Sequence, residues 1–136
     1  MKRHYLFDTG IAQDFQARRG GIRERAIESR KNGHRIGICV PVLGELWSGV
    51  ECSSSRQRNL DLLRQALTTL VIWPYTTEAA EEFGRIFAEL KRTGRIIQQV
   101  DMQIGAIART LPNCVVVTQD SDFQAISGIT VENWAL

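Results

Sequence analysis

His4-Tyr5-Leu6-Phe7-Asp8-Thr9-Gly10 is an apolar run that stops abruptly at an aspartate followed by a turn. Bounded by glycine and followed by a helical pattern, it reads as a buried strand of a parallel sheet, with helices over both faces. In an open α/β fold the ligand site lies outside the carboxyl ends of the strands. Asp8 stands at such an end and is the first candidate functional residue.

Outward from there, residues 10–15 open a short helix, Gly20-Gly21 breaks the chain, and residues 22–32 form a helix closed by Asn32-Gly33. Residues 35–40 are a second strand, and Pro41 suits the first turn of the helix behind it. On that helix Val42, Leu43, Leu46 and Val50 have the spacing of a buried face, and Glu45 lies within one turn of it. A carboxylate so hemmed in is not wholly solvated; the alternative is a surface-edge residue favoured by the helix N-terminus. Ser53-Ser54-Ser55 offers capping hydroxyls for a helix over residues 56–70, whose leucines 60, 63, 67 and 70 are core. Residues 71–74 are a third strand ended by proline, and Thr76 or Thr77 starts a long amphipathic helix closed by Gly94. Residues 95–100 are a loop. Asp101 then opens a helix whose Gly105, Ala106 and Ala108 permit close approach to a neighbour, although aspartate is also a preferred N-cap. Residues 113–118 carry a β-branched run typical of a central strand and end in Gln119-Asp120-Ser121-Asp122-Phe123, where acidic turn chemistry is the competing explanation. A short fifth strand falls within residues 128–134. Alternating strands and helices predict one α/β domain over residues 1–136.

Composition narrows the setting. Residues 1–68 hold 12 Lys/Arg against 7 Asp/Glu and residues 69–136 hold 5 against 8, an asymmetry that suits a polyanion held near a cation site. Fourteen of the 17 basic residues are arginine, whose planar fork grips phosphate or carboxylate. The most basic region is residues 18–31, either a solvated face or a phosphate-contacting patch. Cys39, Cys52 and Cys114 are odd in number and scattered, which indicates neither a disulfide framework nor a zinc knuckle and predicts a reducing, cytoplasmic setting. No charged-then-apolar leader opens the chain and no apolar run nears the ~20 residues of a membrane span, so neither export nor insertion is expected.

If the first and fourth strands are neighbours, Asp8 meets Asp120 and Asp122 at one rim; Asp101 at a helix start and Glu45 inside an apolar helix are the other two acids of the pattern. Two carboxylates ~5 Å apart repel by roughly 3 kcal/mol at an effective dielectric near 20, so such a cluster demands protonation or a cation. Oxygen ligands select Mg²⁺ or Mn²⁺, which keeps waters and accepts phosphate oxygens. Competing chemistries lack their parts: there are two histidines, neither with a nucleophile partner in view, and no glycine-rich phosphate loop follows the first strand. A phosphoacceptor signalling domain would need an acidic pair after strand one and a late lysine; no lysine follows Lys91. An aspartyl-nucleophile phosphatase would need an aspartate at position 10, which is glycine.

Leu6-Phe7-Asp8-Thr9, Gly44-Glu45-Leu46, Asp101 with Ile104-Gly105-Ala106, and Thr118-Gln119-Asp120-Ser121-Asp122-Phe123, with the closing residues 129–134, together resemble the PIN-domain ribonucleases, and among them the VapC toxins of toxin–antitoxin pairs. The resemblance spans essentially the whole chain. It implies a PIN-like three-layer fold, a central, mainly parallel five-stranded twisted sheet flanked by helices. It also implies that Asp8, Glu45, Asp101 and one of Asp120 and Asp122 bind Mg²⁺ or Mn²⁺. In such a site Thr118, and more weakly Thr9, would orient carboxylates from behind. The expected activity is endonucleolytic cleavage of single-stranded or loop RNA by a homodimer silenced by a VapB-type antitoxin. The alternative is a catalytically silent module that binds a peptide or RNA in its acidic groove. Gly10 departs from the polar residue usual there, and the compact 118–123 motif leaves open which of its two aspartates lies nearer the metal.

Overall fold

A computed structural model describes residues 1–135. Strands β1 (His4–Phe7), β2 (Arg35–Cys39), β3 (Val71–Trp73), β4 (Cys114–Val117) and β5 (Thr130–Glu132) form one sheet in the order β3-β2-β1-β4-β5. Every pairing is parallel, so the sheet expected to be mainly parallel is wholly so. Helices α1 (Thr9–Ala17), α2 (Ile22–Lys31), α3 (Val40–Glu51), α4 (Arg56–Leu67), α5 (Thr77–Arg92) and α6 (Gln99–Thr110) flank it.

The central place of β1 follows from its composition. Tyr5, Leu6 and Phe7 are buried in succession, which a strand achieves only when both faces are covered. Tyr5 lies opposite Ile36 on one side and Val115 on the other, and Phe7 opposite Val117. The carboxyl ends of β1 and β4 therefore lie side by side. Gly37 in β2 is fixed by its neighbour: a Cβ there would stand 2.1 Å from the Val71 carbonyl oxygen, so no larger residue fits without moving β3. Trp134, beyond β5, packs on Tyr5 and Phe7 and closes the far side of the core.

Three local expectations need correction. α4 ends at Leu67, not near residue 70, because the Thr68 and Thr69 hydroxyls donate back to the Gln65 and Ala66 carbonyls and turn the chain toward β3. Ser55 occupies the N-cap of α4 without a side-chain capping bond; the Ser53 hydroxyl instead accepts from the Ser55 N–H and the Asn59 amide. α6 begins at Gln99 with Gln98 as its N-cap, so Asp101 sits inside the first turn and is not the cap. The small residues of α6 behave as expected: the Cβ position of Gly105 is 3.1 Å from Ile126 and 3.6 Å from Ile86, leaving no room for a side chain without displacement.

Candidate active site

Asp8 joins a strand to a helix. It follows β1 in extended conformation and N-caps α1, its Oδ1 accepting the Ile11 N–H at 2.9 Å. Its Oδ2 accepts a short hydrogen bond from the hydroxyl of Thr118, which follows β4 and is 2% exposed. The same Thr118 oxygen accepts the Asp120 N–H at 2.9 Å. One hydroxyl thus locks the end of β1 to the acidic turn after β4, and that link exists because the two strands are adjacent.

The other acids arrive on helices and turns. Glu45, on the half-buried flank of α3, accepts a hydrogen bond from the Thr9 hydroxyl. Asp101 enters from the first turn of α6. Asp120 N-caps a 3-10 turn (Ser121–Ala125) by accepting the Asp122 N–H at 2.9 Å. Asp8, Glu45, Asp101 and Asp120 line a single open cleft of about 560 Å³. Asp122 does not line it: its Oδ1 is 3.0 Å from the Arg95 guanidinium at the outer rim. Of the two aspartates after β4, Asp120 is the one that faces the cleft.

No lysine or arginine is among the residues lining this cleft, and the acids carry the mark of that. Burial raises the Asp8 carboxyl above its usual range; the Thr118 and Ile11 hydrogen bonds oppose the rise, and the charges of Asp120 and Asp14 add to it. Asp101 is pushed up to about 6, first by burial and then by the charges of Asp120, Asp8, Glu45 and Asp122. A helix N-terminus favours an ionised acid, so for Asp101 burial and like charge outweigh the dipole.

Among the described residues, no three His, Cys, Asp or Glu side chains close tightly on one point. A hydrated divalent ion does not require that, since Mg²⁺ is usually held by one or two carboxylates and keeps its remaining waters. The donor set, oxygen only and uncompensated by bases, fits such an ion. Several cleft residues were not anticipated from sequence: Asp14, Gln13, Gln98 and Gln119. Gly10, Gln13 and Asp14 share one face of α1 at spacings of three and four, so the helical periodicity counted from Gly10 carries the signal for two of them. Both histidines are engaged elsewhere, His34 accepting the Arg3 N–H and His4 bonded to the Pro112 carbonyl. Burial raises the Cys39 and Cys114 thiols to about 11 and about 12, so both stay protonated at neutral pH.

The PIN domain family profile matches residues 5–129. The chain belongs to the PIN-domain family. Ribonuclease VapC2 of Haemophilus influenzae is 32% identical to it over 134 residues, 96% of this chain and 97% of that protein. The tRNA(fMet)-specific endonuclease VapC of Shigella flexneri is 28% identical over 132 residues, 96% of this chain and 98% of that protein. A chain in the DNA-bound VapBC structure from Salmonella typhimurium superposes with a TM-score of 0.88 at 31% identity, covering 98% of this chain and 99% of that one. The resemblance to VapC ribonucleases read from the sequence therefore holds along the whole length. The matched span takes in every acid of the cleft, and in this PIN-domain chain those acids come from four separate elements brought to the carboxyl edge of the sheet.

Proposed function

We propose that this PIN-domain chain is a VapC-type toxin, a metal-dependent endoribonuclease that cuts single-stranded or loop RNA such as tRNA or rRNA and is inhibited by a VapB-type antitoxin. The observation that carries the reaction is the cleft itself: Asp8, Glu45, Asp101 and Asp120 on one wall system with no base among the lining residues. The RNA substrate is supported by the ribonuclease and endonuclease names of its relatives, and the antitoxin by a fold neighbour that is a VapBC complex.

Asp8, Asp101 and Asp120 would hold Mg²⁺ or Mn²⁺ in this reading, and Glu45 would complete the donor set. Such an ion, when bound, activates water and offsets charge at the phosphodiester. The chain supplies the rest. Thr118 fixes both Asp8 and the Asp120 backbone, and Thr9 fixes Glu45, so the acids keep their aim without the ion. The Gln98 and Gln119 amides offer donors to phosphate oxygens at the cleft wall. Asp122 belongs to the rim and not to the ligand set.

Residues 1–136 act as one domain in this reading. A homodimer is supported by the apolar surface where Phe87 is 50% and Ile96 93% exposed beside Met102. A reducing, cytoplasmic setting is supported by three free thiols. Among the described residues no helix is long and apolar enough to cross a membrane.

The test is to incubate purified protein with total RNA, with and without divalent ions, and to map the ends. Discrete cuts that need Mg²⁺ or Mn²⁺ and vanish in Asp8→Asn are expected. Undiminished cleavage by that variant, or in chelator, removes the metal reading; no cleavage by the wild type under any condition removes the enzyme.

A further inference from the structure

The basic stretch over residues 18–31 has no part in the reaction above, and the structure shows most of its arginines already engaged. Arg23 lies over the Phe15 ring at 4.7 Å, Arg25 over the Trp134 ring at 4.9 Å, and Arg18 donates to Gln65. Arg19 differs. Its side chain is 65% exposed, with Nε 3.3 Å from Asp14 Oδ1, and it lines a second, polar groove of about 290 Å³ bordered by α1, α3 and α4. Gln13 lines both this groove and the acidic cleft, so the two spaces meet at the surface of α1. Asp14 stands at the junction, its other oxygen reached by the Gln119 amide at 3.4 Å from the cleft side.

We infer that this groove holds the RNA nucleotide next to the one being cut, with Arg19 binding its phosphate; this rests on the ribonuclease reading. The charged residues of the cleft are all acids, which repel every backbone phosphate except the one beside the ion, and its glutamine amides offer only neutral donors. A strand that crosses it needs a cation just outside, and Arg19 is the base that borders the adjoining groove. The guanidinium fork matches phosphate geometry with two parallel donors. Leaving Asp14 costs little on the arginine side, which is exposed, and the Gln119 amide still donates to the Asp14 carboxylate. The rest of the groove suits a nucleotide and not an apolar helix. Its walls include the amides of Gln13 and Gln16, and Gln16 is held only by a 3.5 Å bond to the Asn59 carbonyl, so it is available to a ribose hydroxyl or a base edge.

The experiment compares Arg19→Gln with Arg85→Gln, which makes the same charge change on α5 where Arg85 pairs with Glu82. The probe is the RNA that the wild type cuts, made with a neutral methylphosphonate at each phosphate flanking the cut in turn. Arg19→Gln is expected to raise KM several-fold with kcat nearly unchanged and to lower the salt slope of binding by about one. At one flanking phosphate the methylphosphonate and the substitution should each cause that loss without adding, and Arg19→Lys should recover part of it. Arg85→Gln should behave as wild type. Equal KM values for wild type and Arg19→Gln, or additive losses at every phosphate, overturn the subsite while leaving the ribonuclease intact. An Arg19→Gln variant that cuts as wild type but escapes growth rescue by a co-expressed antitoxin assigns the groove to protein and also overturns it. A wild type that cuts no RNA overturns both.

Discussion

The two ends of α6 treat charge in opposite ways. At its last turn Arg109, only 12% exposed along its side chain, donates to Glu82 at 3.2 Å, Glu89 at 3.1 Å and the Ser127 carbonyl at 2.7 Å. Every charge there has an opposite, and the Ser127 hydroxyl and Arg109 hold the Glu89 carboxyl below its usual range. At the first turn the charges acting on Asp101 are all acidic, and with burial they raise its carboxyl to about 6. One helix end is a finished structural joint. The other is a set of like charges kept together by burial and by hydroxyls, which is stable only because the rest of the fold over-determines it. Crowded like charge without a counter-charge is what separates a site from a staple here.

The sharpest way to break that comparison is to neutralise each end. Asp101→Asn keeps shape and removes the charge, so RNA cleavage should fall by more than ~100-fold, since even partners behind a metal ligand commonly matter by 10–100-fold. The variant should remain folded, as judged by circular dichroism. Cleavage near the wild-type rate would remove Asp101 from the metal set.

Arg109→Met should do the reverse. Two carboxylates and a carbonyl lose their donor in a half-buried place, and breaking a buried pair typically costs about 3–5 kcal/mol, reduced here to about 2–3 because Glu82 and Glu89 reach solvent. Urea denaturation reads the loss, while cleavage per folded molecule should be unchanged. A variant that keeps its stability but loses activity would make Arg109 part of the site.

pH sharpens the contrast further. Asp101 binds its proton more tightly folded, near 6, than unfolded, near 3.8. Between those values the native state holds the extra proton, so this group's contribution to stability falls as pH rises through about 6 and is greatest below about 4. Allowing for the solvent that a half-buried carboxyl still sees, the effect is about 1–2 kcal/mol. In chelator, Asp101→Asn should therefore melt above wild type at pH 8, and the gap should close toward pH 4. Adding Mn²⁺ at pH 8 should raise the wild-type melting temperature and leave the variant almost unmoved. A gap that is constant across this range would mean that Asp101 has an ordinary pKa.

Much of this was legible beforehand because the decisive signals are local. An apolar run ending in Asp8, proline at the start of α3 and glycine after α5 each report their own few residues, and the elements fell where those signals put them. Asp120 against Asp122 was not decidable in the same way. Both follow β4, and only the Thr118 hydroxyl, bonded at once to Asp8 and to the Asp120 N–H, turns the first inward. The start of α6 has no local signal, because Gln98 takes the extended N-cap conformation without a capping side chain to announce it. Arg109 carries no local signal, since its partners lie 18 to 27 residues away in sequence. Contacts made across the fold are legible only once the strand order is known.

The smallest expected effect tests the edge of the acidic set. Asp122 pairs with Arg95 at 3.0 Å in the open, where such a pair is worth about 0–1 kcal/mol, and it lies outside the cleft lining. Asp122→Asn should thus leave cleavage within a few-fold of wild type, while Asp120→Asn behaves like Asp101→Asn. The change need not be zero, because Asp122 is the last of the four charges that raise the Asp101 carboxyl. Its removal should lower that pKa slightly, and Asp101 should then titrate at a lower pH in a carboxyl-region NMR series. Were Asp122→Asn as damaging as Asp120→Asn, the rim pair with Arg95 would have to open during the reaction and the boundary drawn between the two aspartates would be wrong.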